Sequence, residues 1–204
     1  MRRIVNSTYL SLDGDIERAD QWSFDYWSED SEQYAERLSS RADALLMGRE
    51  TYVAFAAAWS ARAGADAFAD RMNSIPKYVV SDTLEETGWG DTTVIPRDRA
   101  VRELARLKEG TGGDLLQYGF GPVSETLLDH GLLDELHFWV HPVFAGGGTL
   151  GSDGFRQRLR HTGTTVTDKG VVVLRYEPAP RVPAGEEERE GPSGGGAVRA
   201  ADGR

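Results

Sequence analysis

Gly113-Asp114-Leu115-Leu116-Gln117-Tyr118-Gly119-Phe120-Gly121-Pro122-Val123-Ser124-Glu125-Thr126-Leu127-Leu128 reads as a strand, a tight glycine turn and a helix in immediate succession. Leu115 to Tyr118 is a short apolar run of the kind found inside a sheet. Gly119 and Gly121 allow positive φ and close approach by another molecule. Pro122 suits a first helical position, where no N–H is needed. Val123, Leu127 and Leu128 form one apolar stripe, and Gly131 can end the helix. The turn leaves free backbone N–H groups at a helix start, which fit an anion. The commoner role of such a turn is a packing junction of an α/β domain, and Gly-x-Gly alone does not establish phosphate binding.

The same construction occurs upstream. Ala44-Leu45-Leu46-Met47 predicts a buried strand broken at Gly48-Arg49, and Thr51 opens a helix carrying Tyr52, Phe55 and Trp59. Arg49 brings a permanent cation beside free helix N–H groups, a match for phosphate, and Thr51 adds a hydroxyl. The other reading pairs Arg49 with Glu50 or a neighbouring acid. Lys77 to Ser81 is a further short strand, closed by Ser81-Asp82-Thr83. Arg3 to Leu12 predicts an opening strand, with Ile4, Val5, Thr8, Tyr9 and Leu10, that turns at Ser11-Leu12-Asp13-Gly14.

Between these junctions the signals are mixed. Residues 15–29 carry Trp22, Phe24, Tyr26 and Trp27 without clean periodicity. This aromatic loop is either a flap over the core edge or a stacking surface for a flat heterocycle. Asp30-Ser31-Glu32-Gln33 predicts a helix start capped by Asp30, with Gln33 reaching back. Ala61 to Met72 predicts an alanine-rich helix that Asn73 can stop. Thr92 to Ile95 is a weak strand, and Arg99 to Glu109 an amphipathic helix followed by Gly110.

Glu135 to Val143 alternates Leu136, Phe138 and Val140 with His137, Trp139 and His141, which predicts a half-buried strand. On a strand the two histidines stand roughly 13 Å apart, at ~3.3 Å per residue, too far to share one ion. No metal is expected. Ala145 to Thr149 is a glycine loop. Thr162–Asp168 and Val171–Tyr176 predict a final hairpin around Lys169-Gly170.

Strands alternating with helices, then a closing hairpin, predict an α/β fold whose mostly parallel central sheet ends in an antiparallel edge. Ligands bind such sheets beyond the strand C-terminal ends. Gly48-Arg49, Ser81-Asp82-Thr83 and Gly119-Phe120-Gly121 are therefore expected along one rim, gripping an extended, phosphate-bearing nucleotide.

The 204 residues suit one domain, 1–180, followed by a Pro, Gly, Glu and Arg-rich tail, 181–204, expected to be disordered. The chain has no cysteine, which excludes disulfides, thiolate–metal sites and cysteine nucleophiles. No apolar leader or membrane span is visible. A formal net charge of −10 argues against nucleic acid or anionic membrane as a partner. A cytoplasmic location is expected.

At Ser11-Leu12-Asp13-Gly14, Leu46-Met47-Gly48-Arg49-Glu50-Thr51-Tyr52, Lys77-Tyr78-Val79-Val80-Ser81 and Gln117-Tyr118-Gly119-Phe120-Gly121-Pro122-Val123, the chain resembles the dihydrofolate reductase superfamily. It is most similar to stand-alone reductases like the RibD C-terminal domain of riboflavin biosynthesis. Leu132-Leu133-Asp134-Glu135-Leu136 and His141-Pro142-Val143-Phe144 extend the match over about residues 2–177.

The resemblance implies a dihydrofolate-reductase-like three-layer fold, NADPH as cofactor, a small-molecule substrate and a homodimer. Gly48, Arg49 and Thr51 fall where relatives hold cofactor phosphates. Ser81 falls beside the adenosine ribose, and Gly119, Phe120, Gly121, Pro122 and Val123 around the pyrophosphate and nicotinamide. Asp13 lies in the loop that closes over nicotinamide and substrate. Trp22, Asp30 and Phe144 are candidates for the substrate side, and Glu32 with Asp13 for catalysis. Asp30 and Glu32 read more readily as helix-capping acids. Asp82 stands where a hydroxyl or base often meets the 2′-phosphate, which leaves NADPH and NADH open.

The activity implied is hydride transfer to a C=N or C=O of a pteridine or aminopyrimidine. Candidates include dihydrofolate and 5-amino-6-(5-phosphoribosylamino)uracil. The competing reading is a non-catalytic nucleotide-binding module of the same fold. A Rossmann-type dehydrogenase ranks behind both, because its phosphate loop follows the first strand and the clearest Gly-x-Gly here comes late.

Overall fold

The structure is a computed structural model that describes residues 1–180. The expected tail, 181–204, lies outside the described residues. Eight strands form one sheet: β1 (Ile4–Leu10), β2 (Ala42–Gly48), β3 (Lys77–Val80), β4 (Thr92–Ile95), β5 (Asp114–Tyr118), β6 (Glu135–Val140), β7 (Leu159–Val166) and β8 (Val172–Pro178). Their spatial order is β4-β3-β2-β5-β1-β6-β8-β7. The first six are mutually parallel; β8 runs antiparallel to β6, and β7 antiparallel to β8. The expected α/β sheet with an antiparallel C-terminal edge is what the chain forms.

Five helices cover the two faces: α1 (Glu29–Arg41), α2 (Arg49–Ser60), α3 (Ala67–Ser74), α4 (Ala100–Glu109) and α5 (Pro122–Asp129). Leu104 of α4 with Leu127 and Leu128 of α5 pack on Ile4, Leu46, Leu115 and Leu136. On the other face, Tyr52 of α2 and Met72 of α3 pack on Val5, Leu45, Met47, Val79 and Leu116. Tyr34 and Ala35 of α1 pack on Trp139 and Val173. Among the described residues no helix is long and apolar enough to cross a membrane.

Three expectations need correction. The helix read over Ala61–Met72 begins only at Ala67. Gly64 takes φ +78, and Asp66, extended, accepts a hydrogen bond from the Ala69 N–H at 2.7 Å, so a capped start displaces the alanine-rich turn before it. The cap of α1 is Ser28 rather than Asp30, its Oγ accepting from the Ser31 N–H. Glu29, Asp30 and Glu32 then occupy the first turn, where negative charge meets the helix dipole. Gln33 donates to the Glu29 carboxylate and not back to the backbone.

The third correction concerns β6, which is buried on both faces. His137 is 3% and Trp139 2% exposed. The polar-looking set faces the α1 side, where the Tyr34 hydroxyl and His137 Nδ1 lie 2.7 Å apart and the Tyr34 and Trp139 rings meet edge to face. The alternation therefore separates two packed faces of the core, Leu136 and Phe138 on one and His137 and Trp139 on the other, and not core from solvent.

Candidate functional site

The site grows from a reversal in strand order. From β2 the chain passes through α2 and α3 to β3 on one side. From β5 it passes through α5 to β6, on the other side of β1. The adjacent strands β2 and β5 thus send their connections in opposite directions, which opens a crevice beyond their C-terminal ends. Gly48 caps α2, and Gly121 with Pro122 starts α5, so two helix N-termini flank this crevice. Each presents free N–H groups to it.

Side chains fix the walls of the crevice closely. Gly119 has φ +78, and a Cβ built on it would stand 2.7 Å from Thr51 Oγ1. Both the dihedral and the contact require glycine. A Cβ on Gly48 would touch Val123 Cγ2 at 3.7 Å, an ordinary contact that joins the two junctions. A Cβ on Gly121 would meet nothing within 4 Å. Gly121 therefore leaves a space that a side chain would fill, beside the start of α5. Phe120 turns its ring onto Phe138 and Phe155, 5.8 and 6.3 Å between centroids, and so packs into the core.

Beneath the Gly119 turn lies a buried amide network absent from the sequence-based reading. Asn6 Nδ2 donates to Gln117 Oε1 at 3.1 Å and to the Gly119 carbonyl at 2.7 Å. Thr8 Oγ1 donates to Asn6 Oδ1 at 2.8 Å, and Gln117 Nε2 to Ser124 Oγ at 2.9 Å. Asn6, Thr8, Gln117 and Ser124 are all at most 3% exposed. Partnered in this way, buried amides cost little and hold the turn in one shape. Asn6 and Gln117 are 111 residues apart in the chain, so no local motif announces them.

The register pairs Gly48 with Val80, which sets Arg49 beside Ser81 at the next strand end. Arg49 lines a cleft of about 430 Å³ with Tyr52, Thr83, Leu84 and Trp89, and Glu85 and Glu86 also border it. Among the described residues no ion pair joins Arg49 to Glu50 or to another acid. Ser81 is buried, and its Oγ accepts from the Thr83 and Leu84 N–H groups at 3.1 and 3.0 Å, shaping the loop. Asp82 accepts from the Arg97 N–H at 2.9 Å, and its other oxygen stands 3.8 Å from Arg97 Nε. Arg97 thus brings a second cation to this rim. It follows β4, and only the pairing of β3 with β4 carries it there.

On the far side of β1, Asp13 joins two loops. Its carboxylate accepts from Ser11 Oγ at 2.6 Å, the Ala145 N–H at 2.9 Å and the Gly146 N–H at 2.7 Å. These bonds hold its pKa down to about 2. Thr149 and Leu150 donate their N–H groups to the Gly14 carbonyl at 2.9 and 3.0 Å, and Thr149 Oγ1 accepts from the Ile16 N–H. The Asp13 loop and the glycine loop are therefore stitched into one unit. Asp13 is ionised at neutral pH and is unsuited to giving up a proton.

Trp22 and Tyr26 bring their ring edges to His141, with centroids 5.2 and 6.1 Å apart. Tyr9 lies against the same imidazole at 5.0 Å. His141 is 2% exposed, and burial lowers its pKa, which favours the neutral ring. Phe144, 76% exposed, follows β6 beside the stitched loops. Asp30 accepts the Asp168 N–H at 3.3 Å, tying α1 to the β7–β8 turn. Glu32 is exposed on α1. Thus Gly48, Thr51, Gly119 and Val123 meet directly, Arg49 and Ser81 adjoin them, and Asp13, Trp22 and Phe144 border the β1–β6 end. Asp30 and Glu32 serve the start of α1. Among the described residues no three His, Asp or Glu side chains cluster as a metal site requires.

Comparison with known proteins agrees with this architecture. The chain is 27% identical over 180 residues to an uncharacterised Bacillus subtilis (strain 168) protein, YyaP, covering 86% of this chain and 94% of that one. A Shewanella sp. PV-4 structure assigned to riboflavin biosynthesis superposes with a TM-score of 0.65 at 19% identity, over 87% of this chain and 99% of that one. The Thermotoga maritima diaminohydroxyphosphoribosylaminopyrimidine deaminase/5-amino-6-(5-phosphoribosylamino)uracil reductase gives 0.60 at 15% identity, over 87% of this chain and 57% of that one. The shared architecture is the dihydrofolate-reductase-like fold. The RibD C-terminal domain model matches residues 2–173, and the chain belongs to that family.

Proposed function

We propose that this protein is an NADPH-dependent reductase acting on a C=N or C=O carbon of a small heterocycle, a pteridine or an aminopyrimidine. The observation that carries this reading is the crevice between β2 and β5, flanked by two helix N-termini, with Arg49 at the start of α2 lining the neighbouring cleft against residues 83–89. When bound, the cofactor supplies a hydride. The chain supplies binding and orientation. The N–H groups at the starts of α2 and α5 face phosphate, the Gly121 space admits the pyrophosphate backbone, and Arg49 and Thr51 meet a phosphate at the β2 end. Phe120, Pro122 and Val123 fix the start of α5, and Ser81 shapes the ribose side.

Trp22 and Phe144 border the substrate end, while Asp30 and Glu32 keep only a peripheral part. Arg97 offsets the Asp82 charge and favours the phosphorylated cofactor. The same reading places the protein in the cytoplasm as a homodimer.

Titration of purified protein with NADPH, followed by cofactor oxidation with dihydrofolate and pyrimidine substrates, tests the proposal. Absence of cofactor binding at high micromolar concentration overturns it. One observation favours a non-catalytic nucleotide-binding module instead: Asp13, the acid nearest the β1 edge, is held ionised. A ligand-induced rise in Tm with no substrate turnover selects that reading.

A further inference from the structure

Two phenols at the same sheet edge have no part in the cofactor reading. Ser7 of β1 is paired with Tyr118 of β5, so Tyr9 projects from the same face, one pleat repeat further on. The two tyrosines are near enough that ionisation of one opposes ionisation of the other. Both rings are packed, Tyr9 on Trp139 and His141 at 5.6 and 5.0 Å, and Tyr118 on Phe55 at 5.1 Å.

The hydroxyls differ from those of neighbouring tyrosines. Tyr26 donates to the Pro142 carbonyl, Tyr34 is bonded to His137, and Tyr52 accepts from the Trp89 N–H. Neither the Tyr9 nor the Tyr118 hydroxyl is hydrogen-bonded within the described residues. Both residues are half-buried, and neither hydroxyl is among the fully enclosed polar atoms left without a partner, so each O–H keeps a narrow opening within densely packed surroundings. A phenol so placed is costly unless a solvent or ligand atom meets it. Burial raises both pKa values well above the ordinary phenol value, which keeps both groups neutral donors at physiological pH.

The surroundings narrow what meets them. Trp22, Tyr26 and His141 supply flat apolar walls beside Tyr9. The cation–π contacts among the described residues lie elsewhere, on Tyr34, Trp59 and Trp89. The Asp13 carboxylate is occupied by the Ala145 and Gly146 N–H groups.

We propose that Tyr9 and Tyr118 read the substrate: their hydroxyls each donate to an acceptor atom of a flat, uncharged heterocycle lying between the β1–β5 edge and the Trp22–Tyr26 loop. This rests on the reductase reading above and names the substrate contacts of that site. The phenols select a ring that carries two acceptors, such as the two carbonyl oxygens of a pyrimidinedione.

The test uses lumazine, a neutral fused pyrimidinedione, titrated by fluorescence into the full chain with and without saturating NADPH. Tyr9→Phe and Tyr118→Phe remove only the hydroxyls. Each is expected to weaken lumazine binding about five- to tenfold, the worth of one hydrogen bond, while NADPH affinity and Tm stay unchanged. Equal lumazine affinity in parent and variants, or no lumazine binding by the parent, overturns the inference. The NADPH titration reads the cofactor proposal separately, so failure of either is seen on its own.

Discussion

Thr51 Oγ1 and Gly119 approach so closely that a Cβ on Gly119 would stand 2.7 Å from the hydroxyl. The start of α2 and the turn after β5 are thereby locked together across the crevice. Gly119→Ala adds both a clash and an L residue at φ +78, and is expected to cost about 1–3 kcal/mol of stability. Gly121→Ala should leave Tm unchanged, since its Cβ enters open space, and weaken NADPH binding instead. Denaturation midpoints and cofactor titrations on the two variants check this opposition.

Arg49 is expected to tell the two nicotinamide cofactors apart. Arg49→Ala should weaken NADPH binding about 10- to 100-fold, the loss of a charge-assisted contact to phosphate, and NADH binding much less. Equal losses for both, or none, would remove Arg49 from its assigned role. Dissociation constants measured by nicotinamide fluorescence at one fixed ionic strength decide it.

Asp13 should govern the stitched loops. Asp13→Asn retains one acceptor and loses the charge, so the Ala145 and Gly146 N–H groups should exchange with solvent roughly tenfold faster at pH 7. Its native pKa is depressed to about 2, so the parent keeps these bonds at neutral pH and loses them as pH falls through that value. Hydrogen exchange resolved to residues 145–150 gives the readout.

Lys77 is 1% exposed, donates to the Asn73 carbonyl at 2.7 Å and lies 4.3 Å from the Trp89 ring centroid. Burial lowers its pKa from 10.5 to about 8. Between those values the unfolded chain binds more protons than the folded one, so this group makes stability rise as pH climbs from about 8 to 10.5. Lys77→Met should abolish that rise. Chemical denaturation of parent and variant at pH 7, 9 and 10 measures the difference.

What the sequence made legible was local. The junctions at Gly48-Arg49 and Gly119-Phe120-Gly121 each carry a strand, a breaker and a helix start within a dozen residues, and the parallel sheet followed from their repetition. The hydrogen bonds joining Asn6, Thr8, Gln117 and Ser124 were not legible, because polar residues inside a strand look solvent-facing until their partner strand is known. The same blindness made β6 look half-exposed, although α1 covers one of its faces and the cluster containing Leu127 and Leu128 of α5 the other. Asp30 was mistaken for a cap because Ser28, two residues earlier, competes for the role and wins it through its extended backbone. Arg97 reaches Asp82 only through tertiary pairing.

The central position of β1 bears on how the protein is made. This first strand is flanked by β5 and β6, neither of which exists until more than half the chain has left the ribosome. Ile4–Leu10 must therefore wait unpaired, with Ile4, Val5, Tyr9 and Leu10 uncovered, for partners synthesised much later. Nascent chains halted before Asp114 should engage chaperones, and the crevice between β2 and β5 becomes complete late in translation.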